Sequence, residues 1–148
     1  MKEIQTEIQI QASAETIWKI LMDFDHYPDW NPFIKTISGE KEVGGRITAF
    51  IGPPGENGIT FMPKVLVYEP NKEFRWLGKM AGGLFFNGEH YFILKELGNH
   101  STQFIHGERF TGMLVGILSG MLKNTKNGFV AMNQALKHRA ESREHSAA

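Results

Sequence analysis

The sequence predicts an α+β fold in which a curved antiparallel sheet wraps around one long C-terminal helix. Three observations carry this. Seven short stretches alternate apolar and polar residues, with breaks rich in Gly, Pro and Asn. A helical segment interrupts the series once, after the first stretch. The last ordered segment, from Met113 to about Arg143, then sets Leu114, Ile117, Leu118, Met121, Leu122, Phe129, Met132 and Leu136 on one broad apolar stripe. A helix of about 30 residues is about 45 Å long, more than a small core can cover. Something curved must therefore embrace it, and a space between sheet and helix is expected.

Taken in order, residues 2–11 alternate as a half-buried strand. Ser13 follows as an N-cap, its hydroxyl placed to accept from an orphan N–H of the next turn. Ile17, Trp18, Ile20, Leu21 and Phe24 recur at helical spacing, and Pro28 and Pro32 bend the chain into a second short helix or turn. Six further strands are expected at 33–42, 46–51, 60–68, 73–79, 84–97 and 101–111. The breaks are Gly44-Gly45, Gly52-Pro53-Pro54-Gly55, Pro70-Asn71 and Gly98-Asn99. The expectation is thus a seven-stranded sheet with two short helices between strands 1 and 2, in one domain over 1–148, with 141–148 a polar tail that frays.

The last two strands allow a test of register. A tight connection at Gly98-Asn99-His100 places Glu89 opposite Arg109, Ile93 opposite Ile105 and Lys95 opposite Gln103 on one face. On the other face, His90 meets Glu108, Phe92 meets His106 and Leu94 meets Phe104. Opposite charges across the pair favour this alignment, and a one-residue slip exchanges the faces.

Composition narrows the function classes. The chain has 148 residues, 41% hydrophobic and 22% charged, as a soluble globular domain does. Sixteen basic and sixteen acidic residues cancel, so nothing marks a nucleic-acid partner. No cysteine is present, which excludes thiol nucleophiles, thiolate metal sites and disulfides. The N-terminus alternates and lacks a signal-peptide core. The most apolar window, 113–122, is about half of a membrane span. A cytoplasmic location is the default expectation.

Trp18, the segment Asp23-Phe24-Asp25-His26-Tyr27-Pro28-Asp29-Trp30-Asn31-Pro32-Phe33 and the terminal helix resemble the SRPBCC superfamily. That group includes START-like lipid-transfer domains, polyketide cyclase/dehydrases and plant pathogenesis-related and hormone-receptor proteins. Pro53-Pro54-Gly55, Phe74-Arg75-Trp76-Leu77-Gly78, Gly88-Glu89-His90 and His106-Gly107-Glu108-Arg109-Phe110 resemble a bacterial branch of it. The resemblance implies a helix-grip fold, seven strands around a C-terminal helix, enclosing a cavity for an apolar ligand. It implies no shared catalytic motif.

His90, His106 and Glu108 form a polar cluster that strand alternation turns toward the helix. Two imidazoles and a carboxylate can serve as acid–base groups or a facial metal triad, or simply satisfy one another inside the sheet. Neither a metal nor a cofactor is expected. Phe61, Val65, Val67, Phe74, Trp76, Phe92, Phe104 and Phe110 alternate onto the same inner face, and Leu118, Met121 and Leu122 oppose them from the helix. They can line a ligand cavity or fill the interior. Tyr27, Trp30, Pro32 and Phe33 either form a mouth or plug the open end. The 52–58 segment reads as a rim loop, since it lacks the Gly-Lys-Ser/Thr of a phosphate loop. Asp23, Asp25 and Asp29 read as solvated caps without calcium-loop spacing.

The first functional expectation is a non-enzymatic module that binds a small apolar or amphipathic molecule, such as a lipid, an aromatic metabolite or a polyketide-like compound. The alternative is a cyclase/dehydratase-type enzyme using His90, His106 and Glu108. A third class is an interaction protein, with Tyr91, Ile93 and Ile105 exposed on the outer face as a homodimer or partner surface.

Overall fold

The computed structural model describes residues 2–80, 86–112 and 119–147. The predicted strand start at Leu84 and the predicted helical turns at 113–118, including Leu118, lie outside them. So does the side chain of Met121.

The described residues form eight strands and three α-helices. In order they are β1 (Lys2–Ile10), α1 (Ala14–Met22), a single 3-10 turn (Phe24–His26), α2 (Tyr27–Trp30), β2 (Ile34–Gly39), β3 (Ile47–Ile51), β4 (Ile59–Phe61), β5 (Lys64–Glu69), β6 (Glu73–Met80), β7 (Phe86–Gly98), β8 (Ser101–Thr111) and α3 (Ser119–Ala147). The eighth strand corrects the expected seven. Pro63 has no N–H to give a ladder and splits the predicted 60–68 strand into β4 and β5. The chain uses that break to turn from one sheet into another.

Five strands pair in the order β1-β8-β7-β6-β5, and β2-β3-β4 form a smaller antiparallel sheet. The two are stitched at the Pro63 corner. Gly44 donates to the Val65 carbonyl and Val65 donates to that of Gly45, each at 2.9 Å, and Ile47 donates to Pro63 at 3.0 Å. The result is one curved wall.

The β7–β8 register is the one the sequence predicts: Glu89 faces Arg109, His90 faces Glu108 and Phe92 faces His106. The turn that fixes it holds Asn99 at φ 52° and His100 at φ 56°, the left-handed pair of a type I′ hairpin.

Helix α1 starts as expected, with Ser13 Oγ accepting from Thr16 N at 3.1 Å. Its buried residues Ile17, Trp18, Ile20 and Leu21 join Phe74, Phe92, Phe104 and Phe129 in the main core. Helix α3 packs against β1, β8, α1 and α2. It continues as helix to Ala147. Glu141 accepts from Gln11 N at 2.9 Å, and Glu144 accepts from Ser13 N at 2.8 Å and Thr16 Oγ1 at 2.9 Å. Two backbone N–H groups at the β1–α1 corner thus bond to the last turns of the helix.

The outer sheet face is also corrected. Tyr91 and Ile105 are buried and Ile93 is half-buried. Long polar side chains cover part of this face. The Arg75 guanidinium lies 4.6 Å from the Tyr91 ring centroid, and Tyr91 donates to Glu3 at 2.7 Å. Arg109 and Glu3 pair at 3.0 Å.

Candidate functional site

Helix α3 lies against β1 and β8, so the inner face of β6 and the start of β7 are free to border a cavity. It has a volume of about 430 Å³, within the ~300–1,000 Å³ of small-molecule sites. Its walls are Phe33, Ile51, Ile59, Phe61, Pro63, Trp76, Phe86 and Phe110, with Gly52, Gly78 and Gly88 exposing backbone between them. Polar groups are few. Glu108 and His90 stand in the wall, and Glu56, Asn57, Asn124 and Thr125 belong to the 52–58 loop and the start of α3. Asn124 Nδ2 lies 3.4 Å from Glu56 Oε1, joining the helix to that loop.

Glu108 is the end of a buried hydrogen-bonded chain. Glu108 Oε1 lies 3.3 Å from His90 Nδ1, and His90 Nε2 lies 2.8 Å from His106 Nε2. His106 Nδ1 meets Asn133 Oδ1 at 2.8 Å, and Asn133 Nδ2 donates to Thr6 Oγ1 at 2.8 Å. Thr6 Oγ1 in turn donates to the His106 carbonyl at 2.8 Å.

That carbonyl can only accept, so it sets the direction of every proton in the chain. Thr6 gives its hydroxyl proton to the carbonyl and therefore accepts from Asn133. Asn133 Oδ1 then accepts from His106 Nδ1–H, which leaves a lone pair on His106 Nε2. His90 fills it with Nε2–H and presents a bare Nδ1 to Glu108. A neutral chain needs Glu108 as the undissociated acid, donating to His90.

Electrostatics agree with the geometry. Burial pushes the Glu108 carboxyl up to about 8 and the His90 imidazole down to about 3, because the low-dielectric interior disfavours the charged forms. His106 is held well below its ordinary value, first by burial and then by His90, against its hydrogen bond to Asn133. Burial thus favours a neutral hydrogen-bonded pair at His90 and Glu108 over an ion pair.

The rings hold this chain in place. His90 stacks on Trp76 at 5.0 Å between centroids, and His106 stacks on Phe129 at 4.1 Å. Gly88 completes the seat for the carboxyl: a Cβ there would collide with Glu108 Oε2. The two imidazoles point at each other instead of converging on a shared centre, so the cluster is a chain and not a facial metal triad.

A family model described as polyketide cyclase / dehydrase and lipid transport matches residues 1–141. The chain belongs to that family. This membership lies within the SRPBCC superfamily that the sequence resembles. Among solved structures, the family member is similar to the Zhui aromatase/cyclase from Streptomyces sp. R1128, with TM-score 0.79, 15% identity and coverage of 99% of this chain and 98% of that one. It is similar to a START superfamily protein from Mycobacterium smegmatis, with TM-score 0.66, 24% identity and coverage of 95% and 98%. A Thalictrum norcoclaurine synthase point mutant in complex with a transition-state analogue gives TM-score 0.72 and 17% identity, with coverage of 97% and 96%. At these identities the likeness is one of fold. No curated protein matches the chain. Membership supports ligand binding or a cyclase-like role for this family member.

The predicted site residues separate into groups. Phe61, Trp76, His90, Glu108 and Phe110 line the cavity. Val65, Phe74, Phe92 and Phe104 are fully buried in the main core, and His106 lies behind His90 in the chain. Leu122 packs with Phe86 and Phe110 in a smaller cluster.

Val67 is a correction. A bulge between Val65 and Val67 inserts Leu66 into the ladder, so Val67 pairs with Arg75 on the outer side and Tyr68 pairs with Phe74. Tyr68 packs on Trp18 at 5.6 Å in its place. Of the elbow residues, Tyr27 is fully buried and donates to the Leu21 carbonyl at 2.8 Å. Trp30 packs partly buried against the main core, and Phe33 is both core and cavity wall.

Ile51, Ile59, Pro63, Gly78, Phe86, Gly88 and Asn124 in the wall, and Asn133 and Thr6 in the chain, are not among the positions expected from the sequence. Paired interior glycines at 78 and 88 were an available signal for a close approach of ligand or backbone.

Proposed function

We propose that this protein binds a small, mainly apolar molecule with one polar end, such as an aromatic or polyketide-like metabolite, in the cavity between β6–β7 and the start of α3. The observation that carries the reading is the 430 Å³ ring-lined space with Glu108 set in its wall. Burial of ligand hydrocarbon drives affinity at ~25 cal/mol per Å². The undissociated Glu108, whose proton goes to His90, then orients the polar end by accepting a hydrogen bond from a ligand hydroxyl at its other oxygen. An anionic head group is disfavoured, since it would face a neutral acid and no cation among the described lining residues. Solvent extraction of the purified protein followed by mass spectrometry tests this. A stoichiometric neutral aromatic or amphipathic compound supports it. A protein that carries nothing and binds none of a panel of neutral phenols contradicts it.

The same carboxyl favours a second reading, a dehydratase-type activity. An acid that keeps its proton to about pH 8 can turn it from His90 Nδ1 to a leaving hydroxyl at neutral pH. The C–O bond breaks, water departs, and the resulting carboxylate takes the proton from the adjacent carbon as the double bond forms. Glu108→Gln separates the readings, because the amide still donates to His90 but cannot transfer a proton. Turnover of a candidate substrate that survives this change excludes Glu108 as the acid.

A further inference from the structure

We propose that Gly78 is a specificity-determining residue, whose missing side chain keeps open a flat strip of sheet on which the ring system of the guest lies. This rests on the ligand-binding reading above. Gly78 on β6 and Gly88 on β7 are register partners, and both border the cavity. A glycine inside a strand weakens it and asks for a reason.

Gly88 has its reason within the protein, because a Cβ there would overlap the Glu108 carboxyl. Gly78 does not. Its φ lies outside the left-handed region, and among the described residues a Cβ would meet only Gly88 O and Pro63 Cβ, each at 3.9 Å. That is ordinary contact. Among the described residues, neither the backbone nor the packing demands glycine at 78, yet the residue borders the cavity.

The shape of this strip specifies its occupant. The bare Gly78 segment presents a flat surface, and beside it the Glu108 carboxyl is seated over Gly88. Trp76 precedes it on β6 and Phe86 precedes it on β7, so aromatic rings flank it along both strands. Glu108, seated beside Gly88, supplies the nearby polar contact. A planar multi-ring compound carrying a hydroxyl at one edge fits all three features. A side chain at 78 would occupy the space of the outer ring and leave the Glu108 end untouched.

The test compares wild type, Gly78→Ala and Gly78→Val by calorimetry against two neutral phenols, 1-hydroxypyrene and the single-ring 4-methylphenol, with melting temperature measured for each protein. Wild type should bind both. Gly78→Ala should melt at or above wild type, as alanine does at an unstrained glycine. Gly78→Val should lose about tenfold or more in affinity for 1-hydroxypyrene, the scale of an added methyl or two in a filled pocket, and change little toward 4-methylphenol. Wild-type affinity for 1-hydroxypyrene in Gly78→Val, or equal losses for both probes, overturns the inference while leaving ligand binding intact. Failure of wild type to bind either phenol overturns the inference together with the reading beneath it. A Gly78→Ala variant that does not fold contradicts the spare room at 78 and overturns it as well.

Discussion

At the scale of single residues, Glu108 is the group whose state decides the chemistry of the cavity, and pH reports that state. Its folded value is raised from 4.5 to about 8. The stability tied to its neutral form is therefore complete below pH 4.5 and is lost as pH rises through 8. His90 and His106 act in the opposite sense. Both are lowered from 6.5, so their contribution is complete above 6.5 and is lost as pH falls. Two imidazoles outweigh one carboxyl below 6.5, so stability measured by urea denaturation should climb to about pH 6.5 and then fall by ~2 kcal/mol toward pH 8. Glu108→Gln should flatten the fall above 6.5 and keep the rise below it. A wild-type curve that stays flat from 6.5 to 8 contradicts a neutral Glu108. Asn133 is the residue that orients the imidazoles. Asn133→Leu leaves His106 Nδ1–H buried without an acceptor and should cost ~1–3 kcal/mol, read from the same denaturation curves. The His90–Glu108 pair was legible in the sequence because a tight turn and strand alternation fix which residues face each other. Asn133 was not, since its partner depends on the rotation of α3 against the sheet, and no local pattern encodes that.

At the scale of elements, the terminal helix is where propensity and packing disagree. Gly128 lies inside α3, where alanine would gain up to ~1 kcal/mol of helix propensity. A Cβ at 128, however, would overlap the Phe33 ring, and Phe33 lies against Phe129 at 5.3 Å and borders the cavity. Overpacking in a filled core costs ~1–3 kcal/mol, so Gly128→Ala should lower the melting temperature despite its better propensity. A higher melting temperature would show that Phe33 moves freely. At the other end of the helix, Glu144→Ala removes the acceptor for Ser13 N and Thr16 Oγ1. It should cost about 1 kcal/mol and speed amide exchange at the β1–α1 corner. Most element boundaries were legible because Gly, Pro and Asn mark them. Three features were not. The division at Pro63 and the bulge at Leu66 depend on how two sheets meet, and the helical tail depends on carboxylates reaching back across more than a hundred residues of chain. Strict alternation therefore placed Val67 inward and left Tyr68 out.

At the scale of the whole molecule, the curved wall closes on α3 along one half of its length and stands away from it along the other. Phe74, Phe92, Phe104, Phe129 and Met132 fill the closed half completely. Half of the aromatic positions assigned from the sequence to a ligand wall, Phe74, Phe92 and Phe104, serve this core. The open half is built from the 52–58 loop, the Pro63 corner, the paired glycines and the first turns of the described part of α3, which come together only in the folded chain. The sequence separates inward from outward residues well, but it does not say how far apart the two inward surfaces stand. Chemical-shift mapping of the 15N-labelled protein with 2-naphthol measures this distinction directly. A contiguous set of perturbed amides is expected at Gly78, Gly88 and Asn124, together with the Trp76 indole N–H. Shifts confined to the outer groove around Trp30, Arg139 and Arg143, or no shifts at saturating probe, would contradict it.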